Sequence, residues 1–329
     1  MNDLTRSGRP MLSFAEECNR GKVREENQDT VLHARTALGE LLVVADGIGG
    51  LEGGGTASRI VVETVYEHLQ TLASDYPADA AIREASAIAN ANILAAAAAP
   101  DSPFKRMGST VVLALLQQDA AATLAWIGHI GDSRAYLLRD DRIVRITKDH
   151  SAVQALLDED LLTPEEAGNH PDASVLTRSL GHFTEVEIDV EPVPLMPGDS
   201  LLLCSDGLWG FVPEQELQTV MADAHLPLAA TAKALLEMAL AAGGHDNVGI
   251  ELVRVGVPLA PVPDAVQEPL KVEVPVKSQE PAALKGPLKK QEPPKMKEPF
   301  KIGFVEILVL FLLAGAALGA VLYFAFYSH

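Results

Sequence analysis

Apolar positions along this chain fall into short runs of strand length and a few longer stretches of helical spacing. Residues 41–45, 110–116, 122–130, 135–138, 143–146, 186–190, 200–204 and 248–255 read as strands. Asp140-Asp141, between two of these runs, reads as a tight two-residue turn. Helical patterns cover 56–72, 78–98 and 227–242. The strands come in hairpin-like groups and the long helices fall together between 56 and 98. That order predicts antiparallel sheets flanked by helices over a regular parallel α/β fold.

The pattern changes after residue 256. Pro263, Pro269, Pro275, Pro281, Pro287, Pro293 and Pro299 recur every six residues, with Glu before Pro at 268, 280, 292 and 298 and Lys two residues after it at 271, 277, 289, 295 and 301. Six residues make two turns of polyproline II, so each residue type lines one face of an extended rod. The segment reads as a semi-rigid spacer, and docking of a Pro-reading module is the alternative. Residues 307–327 are then uncharged and apolar throughout, long enough as a helix to span a hydrocarbon core. Lys285, Lys289, Lys290, Lys295, Lys297 and Lys301 precede them, which by the positive-inside bias places the preceding domain on the cytoplasmic side. Gly315 and Gly319 form a GxxxG pair through which two anchors could associate. The expected organisation is an N-terminal tail at 1–12, a domain at 13–256, a linker at 257–301 and a transmembrane anchor at 302–329, giving a single-pass inner-membrane protein.

Composition adds three constraints. The 329 residues are 48% hydrophobic, enough for one large domain with a substantial core. Of 26 basic and 45 acidic residues, eight Lys and seven acids lie beyond 256, which leaves the domain near −20. Such a surface gathers divalent cations and repels polyanions, arguing against nucleic acid as a partner. Cys18 and Cys204 read as reduced thiols in or near the core.

Four aspartates stand at the ends of apolar runs: Asp46, Asp132, Asp206 and Asp246. An ionised carboxylate at a buried strand end is costly unless paired or metal-bound. Gathered by the fold, the four would repel one another, and cations would remove that repulsion. With no His or Cys at zinc-like spacing, the ligands are all oxygen and point to Mg²⁺ or Mn²⁺. Glycines at 47, 49, 50, 53, 54 and 55 follow a strand and precede a helix, but the third glycine of a dinucleotide fingerprint would fall at Glu52. Beside a metal ligand, such glycines let the backbone approach the ion and offer a carbonyl to it.

Eight ordered blocks then match a family: Arg24-Glu25-Glu26-Asn27-Gln28-Asp29, Val44-Ala45-Asp46-Gly47-Ile48-Gly49-Gly50, Met107-Gly108-Ser109-Thr110, Gly131-Asp132-Ser133-Arg134-Ala135-Tyr136, Asp149-His150-Ser151, Leu176-Thr177-Arg178-Ser179-Leu180-Gly181, Ser205-Asp206-Gly207-Leu208-Trp209 and Asp246-Asn247-Val248. From about Ser13 to Val255 the chain resembles the metal-dependent protein phosphatases (PPM, type 2C), in their bacterial branch. The resemblance implies an α+β fold, a four-layer α-β-β-α sandwich of two antiparallel sheets flanked by helices. It also implies removal of phosphate from phospho-Ser and phospho-Thr proteins at a binuclear Mn²⁺ or Mg²⁺ centre, with two ions held tightly and a third more weakly. By the resemblance Asp46 bridges the two metals, Gly47 gives its carbonyl to one, and Asp206 and Asp246 bind the other. Asp132 with Asp206 holds the third metal, Asp29 acts through metal-bound waters, and Arg24 grips the substrate phosphate, its fork matching phosphate oxygens. The implied partners are phosphoproteins, the substrates of Ser/Thr kinases that this activity would oppose.

Two departures from the family pattern stand out. Ile48 occupies the place of a His proposed in many relatives to protonate the leaving alkoxide, and His245 and His150 are the candidates left for that proton. Gln28 replaces an acidic residue found there in some members. Residues 150–178 coincide with the mobile flap of bacterial relatives and are expected to shape substrate choice. Two non-enzymatic readings stay open beside catalysis: a phosphoprotein-binding pseudophosphatase, and a structural tether whose stalk is the functional part.

Overall fold

From Leu41 to Ala45 every side chain is buried, and alternate ones serve different cores. Leu41, Val43 and Ala45 pack with two long helices, whereas Leu42 and Val44 face a second sheet. A strand buried on both faces reads as a continuous apolar run, and here it sits at the centre of a layered sandwich.

The computed structural model describes residues 10–256 apart from 50–52, 101, 120, 121, 169 and 224. The spacer and anchor expected from the sequence lie outside the described residues, among which no helix is long and apolar enough to cross a membrane. The strands are β1 (Leu12–Asn19), β2 (Asp29–Arg35), β3 (Glu40–Ile48), β4 (Gly108–Ser109), β5 (Val111–Gln118), β6 (Thr123–Ile130), β7 (Arg134–Arg139), β8 (Arg142–Arg145), β9 (Asp189–Leu195), β10 (Ser200–Cys204) and β11 (Val248–Val255). The helices are α1 (Gly53–Thr71), α2 (Ala78–Ala98), α3 (Ala152–Asp158), α4 (Pro164–Gly168), α5 (Asp206–Trp209), α6 (Glu214–Met221) and α7 (Leu228–Ala241). One sheet runs β1-β11-β10-β7-β8, the other β2-β3-β5-β6-β9 with β4 added beside β3, and every pairing is antiparallel.

Between the sheets Leu42, Val44, Val112 and Ala114 meet Leu201, Leu203 and Val253. Outside one sheet Val61, Val65 and Leu69 of α1 and Ile82, Ala85, Ala89 and Ile93 of α2 cover β3 and β5. Outside the other, Leu217 of α6 and Leu235 and Ala239 of α7 cover Leu202, Cys204, Ile250 and Leu252.

Central strands match the sequence reading, and edges depart from it. β1 and β2, at the sheet edges, carry polar residues at many positions and give no apolar run. The strand expected at 186–190 lies instead at Asp189–Leu195, and its Pro192 and Pro194 are tolerated because β9 is an edge strand. The Asp140-Asp141 turn is present, both residues at positive φ (51° and 57°), as a two-residue hairpin requires. Of the two cysteines, Cys204 is buried as expected, but Cys18 is exposed; both are free thiols.

Antiparallel order also decides where the chemistry gathers. β3, β6 and β10 finish at the same end of the sandwich at which β2 and β11 begin, with Asp29 directly opposite Asp46 and Cys204 opposite Ile250. Asp132, Asp206 and Asp246 each lie two positions outside those strand ends.

Candidate active site

The Asp46 carboxyl is within hydrogen-bonding reach of Asp29 and of Asp206, and it feels the charge of Asp132 and Asp246. Burial, followed by this mutual repulsion, holds its pKa well above the usual carboxylate range. Burial is also the first cause that pushes Asp206 up to about 6, Asp29 to about 7 and Asp132 to about 8. Such a set is unstable as bare anions and takes up protons or cations.

Neutral groups fix these carboxylates in place. Ser205 Oγ donates to Asp29 Oδ2 at 2.6 Å, leaving buried Asp29 Oδ1 with no well-formed hydrogen bond. Ser109 Oγ donates to the Asp46 carbonyl at 2.9 Å, and the Asp46 amide donates to Thr110 Oγ1 at 3.1 Å. Gly47 tolerates no side chain, since a Cβ there would collide with the Gly54 carbonyl at the start of α1. The half-buried Arg134 guanidinium chelates Asp149, with contacts of 2.6 to 3.3 Å, and lies 3.4 Å above the Trp209 ring, which anchors the short helix that starts at Asp206.

Arg24 Nη2 donates to Asp246 Oδ2 at 2.7 Å with more than half of the Arg24 side chain exposed, so the guanidinium stands at the mouth of the cluster. Asn247 holds the segment that presents it. Its Oδ1 accepts from the Gln28 amide at 2.8 Å, and its Nδ2 donates to the carbonyls of Arg20 and Glu26 at 2.8 and 2.9 Å. The sequence reading quoted Asn247 in a block without giving it a task; its signal is only adjacency to Asp246.

A cavity of about 390 Å³ opens over Asp46, Asp132 and Asp206. Ile48, Leu176 and Phe183 give it an apolar wall, and His182 lines it beside them. Neither candidate proton donor from the sequence does so. His150 is buried, with Nδ1 accepting from the Gly131 amide at 3.2 Å and Nε2 against Asp189 Oδ2 at 3.1 Å, and burial lowers its pKa. The His245 ring instead faces Phe211, with centroids 5.5 Å apart. His129, His150 and Asp189 offer ligand atoms within 4.8 Å of one another. A cation already serves that group: Arg178 Nη1 lies 2.9 Å from Asp189 Oδ1 and 3.2 Å from His150 Nε2.

This geometry has known counterparts. Residues 20–241 match the family described as protein phosphatase 2C. The chain belongs to that family. Over 254 residues this type 2C chain is 38% identical to the serine/threonine protein phosphatase PstP of Mycobacterium tuberculosis, covering 74% of this chain and 45% of PstP. It thus spans about half the length of that relative. It is 32% identical to the serine/threonine phosphatase stp of Listeria innocua, covering 72% of this chain and 93% of the relative. Among solved structures, the PstP catalytic domain in complex with two manganese ions matches with a TM-score of 0.64 and 34% identity, over 75% of this chain and 99% of that one. Stp1 of Staphylococcus aureus matches with a TM-score of 0.70 and 28% identity, over 78% and 100%.

Proposed function

We propose that this chain hydrolyses phosphoserine and phosphothreonine in proteins at a divalent-metal centre, and that it does so on the cytoplasmic face of a membrane. The observation that carries the reading is the convergence of Asp29, Asp46, Asp132, Asp206 and Asp246 at one end of the sandwich, with Arg24 at its mouth. The residues fit Mn²⁺ or Mg²⁺. All side-chain donors are carboxylate oxygens, Asp29 Oδ1 is buried without a well-formed hydrogen bond, and the Gly47 backbone is bare of any side chain.

In this reading Asp46, Gly47, Asp206 and Asp246 hold two ions, Asp132 with Asp206 holds a weaker third, and Asp29 acts through ordered water. When bound, the ions supply Lewis acidity and a water of lowered pKa. The chain's own residues do the rest. Arg24 orients the phosphate and offsets charge that grows on its oxygens in the transition state. Ile48, Leu176 and Phe183 exclude water from one side. The apolar segment 307–327, with its preceding lysines and Pro-rich spacer, supports the tethered location.

The test is phosphate release from a phosphothreonine peptide by the purified full chain with Mn²⁺, with Mg²⁺ and with EDTA, beside Asp206→Ala. Metal-dependent release lost in the variant is expected. A folded chain that binds the peptide without releasing phosphate under any metal would transfer the reading to a phosphoprotein-binding head.

A further inference from the structure

We propose that His182 is the general acid that protonates the departing serine or threonine oxygen. The inference rests on the phosphomonoester reading above. An alkoxide is a poor leaving group at neutral pH, and a positioned proton donor typically contributes 10²–10⁴-fold. Apart from the aspartates, Ile48, Leu176 and Phe183 of the cavity lining carry no proton to give and the hydroxyls of Thr110, Ser174 and Ser179 are far weaker acids than an imidazolium, whereas His182 lines the same cavity.

The ring is held from several directions. Leu180 exchanges backbone hydrogen bonds with Ser109, at 2.9 and 3.0 Å, which ties this turn to β4. Asn90 of α2 clamps the turn, its Oδ1 accepting from the Gly181 amide at 2.7 Å and its Nδ2 donating to the Phe183 carbonyl at 2.9 Å. His182 Nδ1 lies 2.8 Å from Ser179 Oγ, so in this proposal the hydroxyl accepts from Nδ1–H of the doubly protonated ring and Nε2 carries the proton that is transferred. The ring packs on Gly108, where a Cβ would come within 2.7 Å of Cε1 and 2.9 Å of Nε2. Gly108 is the strand partner of Ile48, two residues beyond Asp46. The imidazole therefore stands over the same backbone that carries the carboxylate cluster.

The step balances as follows. A water oxygen forms the new bond to phosphorus and yields a proton to solvent. The bond from phosphorus to the substrate oxygen breaks, and its electron pair stays on that oxygen. The Nε2 proton of His182 neutralises it, and the imidazole regains a proton from solvent.

The experiment compares His182→Gln with the wild-type full chain in Mn²⁺ on two substrates, a phosphothreonine peptide and p-nitrophenyl phosphate, whose phenolate leaves with little help. The expected result is a peptide-to-aryl ratio of kcat/KM lowered about 100-fold, loss of the alkaline limb of the peptide pH profile, and an unchanged unfolding midpoint. Ser179→Ala, which removes the acceptor on Nδ1, lowers the same ratio by a smaller factor, and Ser179→Thr restores it. Equal losses on both substrates would assign His182 a structural role and overturn the proposal, as would an unaltered ratio. A wild-type chain inert on both substrates overturns the phosphatase reading itself, and this inference with it.

Discussion

Ser205 and Asp29 join the two sheets at the floor of the active site: the hydroxyl at the end of β10 donates to the carboxylate that opens β2, at 2.6 Å. The same Ser205 oxygen accepts from the Gly249 amide at 2.9 Å, so its orientation is fixed from β11. One Asp29 oxygen is thereby occupied, and the other is buried without a well-formed hydrogen bond, the Asp46 carboxyl being within its reach.

Ser205→Ala therefore loosens the hold on Asp29 and removes a hydrogen-bond donor that favours its ionised form. Loss of an orienting partner typically costs 10–100-fold in metal affinity. We expect Mn²⁺ binding, followed by isothermal calorimetry, to weaken by about tenfold while the far-UV circular dichroism spectrum is unchanged. Unaltered affinity would show that Asp29 is held by Asp46 alone.

Asn247 is a positioning residue of a different kind. Asn247→Ala removes three hydrogen bonds to the backbone of Arg20, Glu26 and Gln28, and leaves those groups to find other partners. The expected cost is about 1–3 kcal/mol of stability, together with a raised KM for phosphopeptide as Arg24 loses its fixed approach. Arg24→Lys, by contrast, should raise KM with little change in stability, because an exposed ion pair is worth about 0–1 kcal/mol. Denaturant unfolding and steady-state kinetics on the two variants separate these effects.

Removal of divalent ions should make stability depend on pH in a defined window. In the metal-free chain, burial and mutual repulsion raise Asp206 to about 6, Asp29 to about 7 and Asp132 to about 8, all above the value of about 3.9 for an unfolded aspartate. The folded state thus binds these protons more tightly than the unfolded one. The contribution of these three carboxyls to metal-free stability is greatest below about pH 4 and falls as pH rises through 6 to 8. Cations that replace the protons bind better as pH rises, and binding to the native state stabilises by mass action. The rise in Tm on adding Mn²⁺ should accordingly be larger at pH 8 than at pH 6. Equal rises at the two values would place the bound ions elsewhere.

Legibility of the sequence followed the physics of burial. β3, β5, β10 and β11 are covered on both faces, so their apolar runs announced them, and the charged residues that end three of those runs announced the site. β1 and β2 have exposed or half-exposed positions along most of their length, and nothing in Asp29-Thr30-Val31 marks a strand whose first residue faces Asp46. His182 was hidden for another reason. It sits in a turn of mixed polarity, and its place in the cavity depends on Asn90, 92 positions earlier on α2, as well as on the missing side chain of Gly108. His150 and His245 stand in or beside blocks that resemble the family pattern, yet one is consumed by a buried network and the other turns toward Phe211.

Glu251 provides a test of stability away from the chemistry. It lies on β11 between Ile250 and Leu252, on the face that Val253 shares with the inter-sheet core, opposite Glu16 of β1 and Leu203 of β10. The side chain is fully buried, and neither carboxyl oxygen has a well-formed hydrogen bond, the Glu16 carboxylate being the polar group within its reach. Burial, reinforced by Glu16, pushes its pKa up to about 9 from an ordinary 4.5. The native state therefore keeps this proton while the unfolded chain releases it, and the protein loses stability as pH rises from 4.5 toward 9, by about 1.4 kcal/mol for each unit in that window. Glu251→Met, similar in length and without a charge to bury, removes the penalty. Denaturant unfolding should find the variant more stable than wild type at pH 8, with a much smaller gain at pH 5. A gain independent of pH would mean that Glu251 is not held as the neutral acid, and that its cost is one of shape alone.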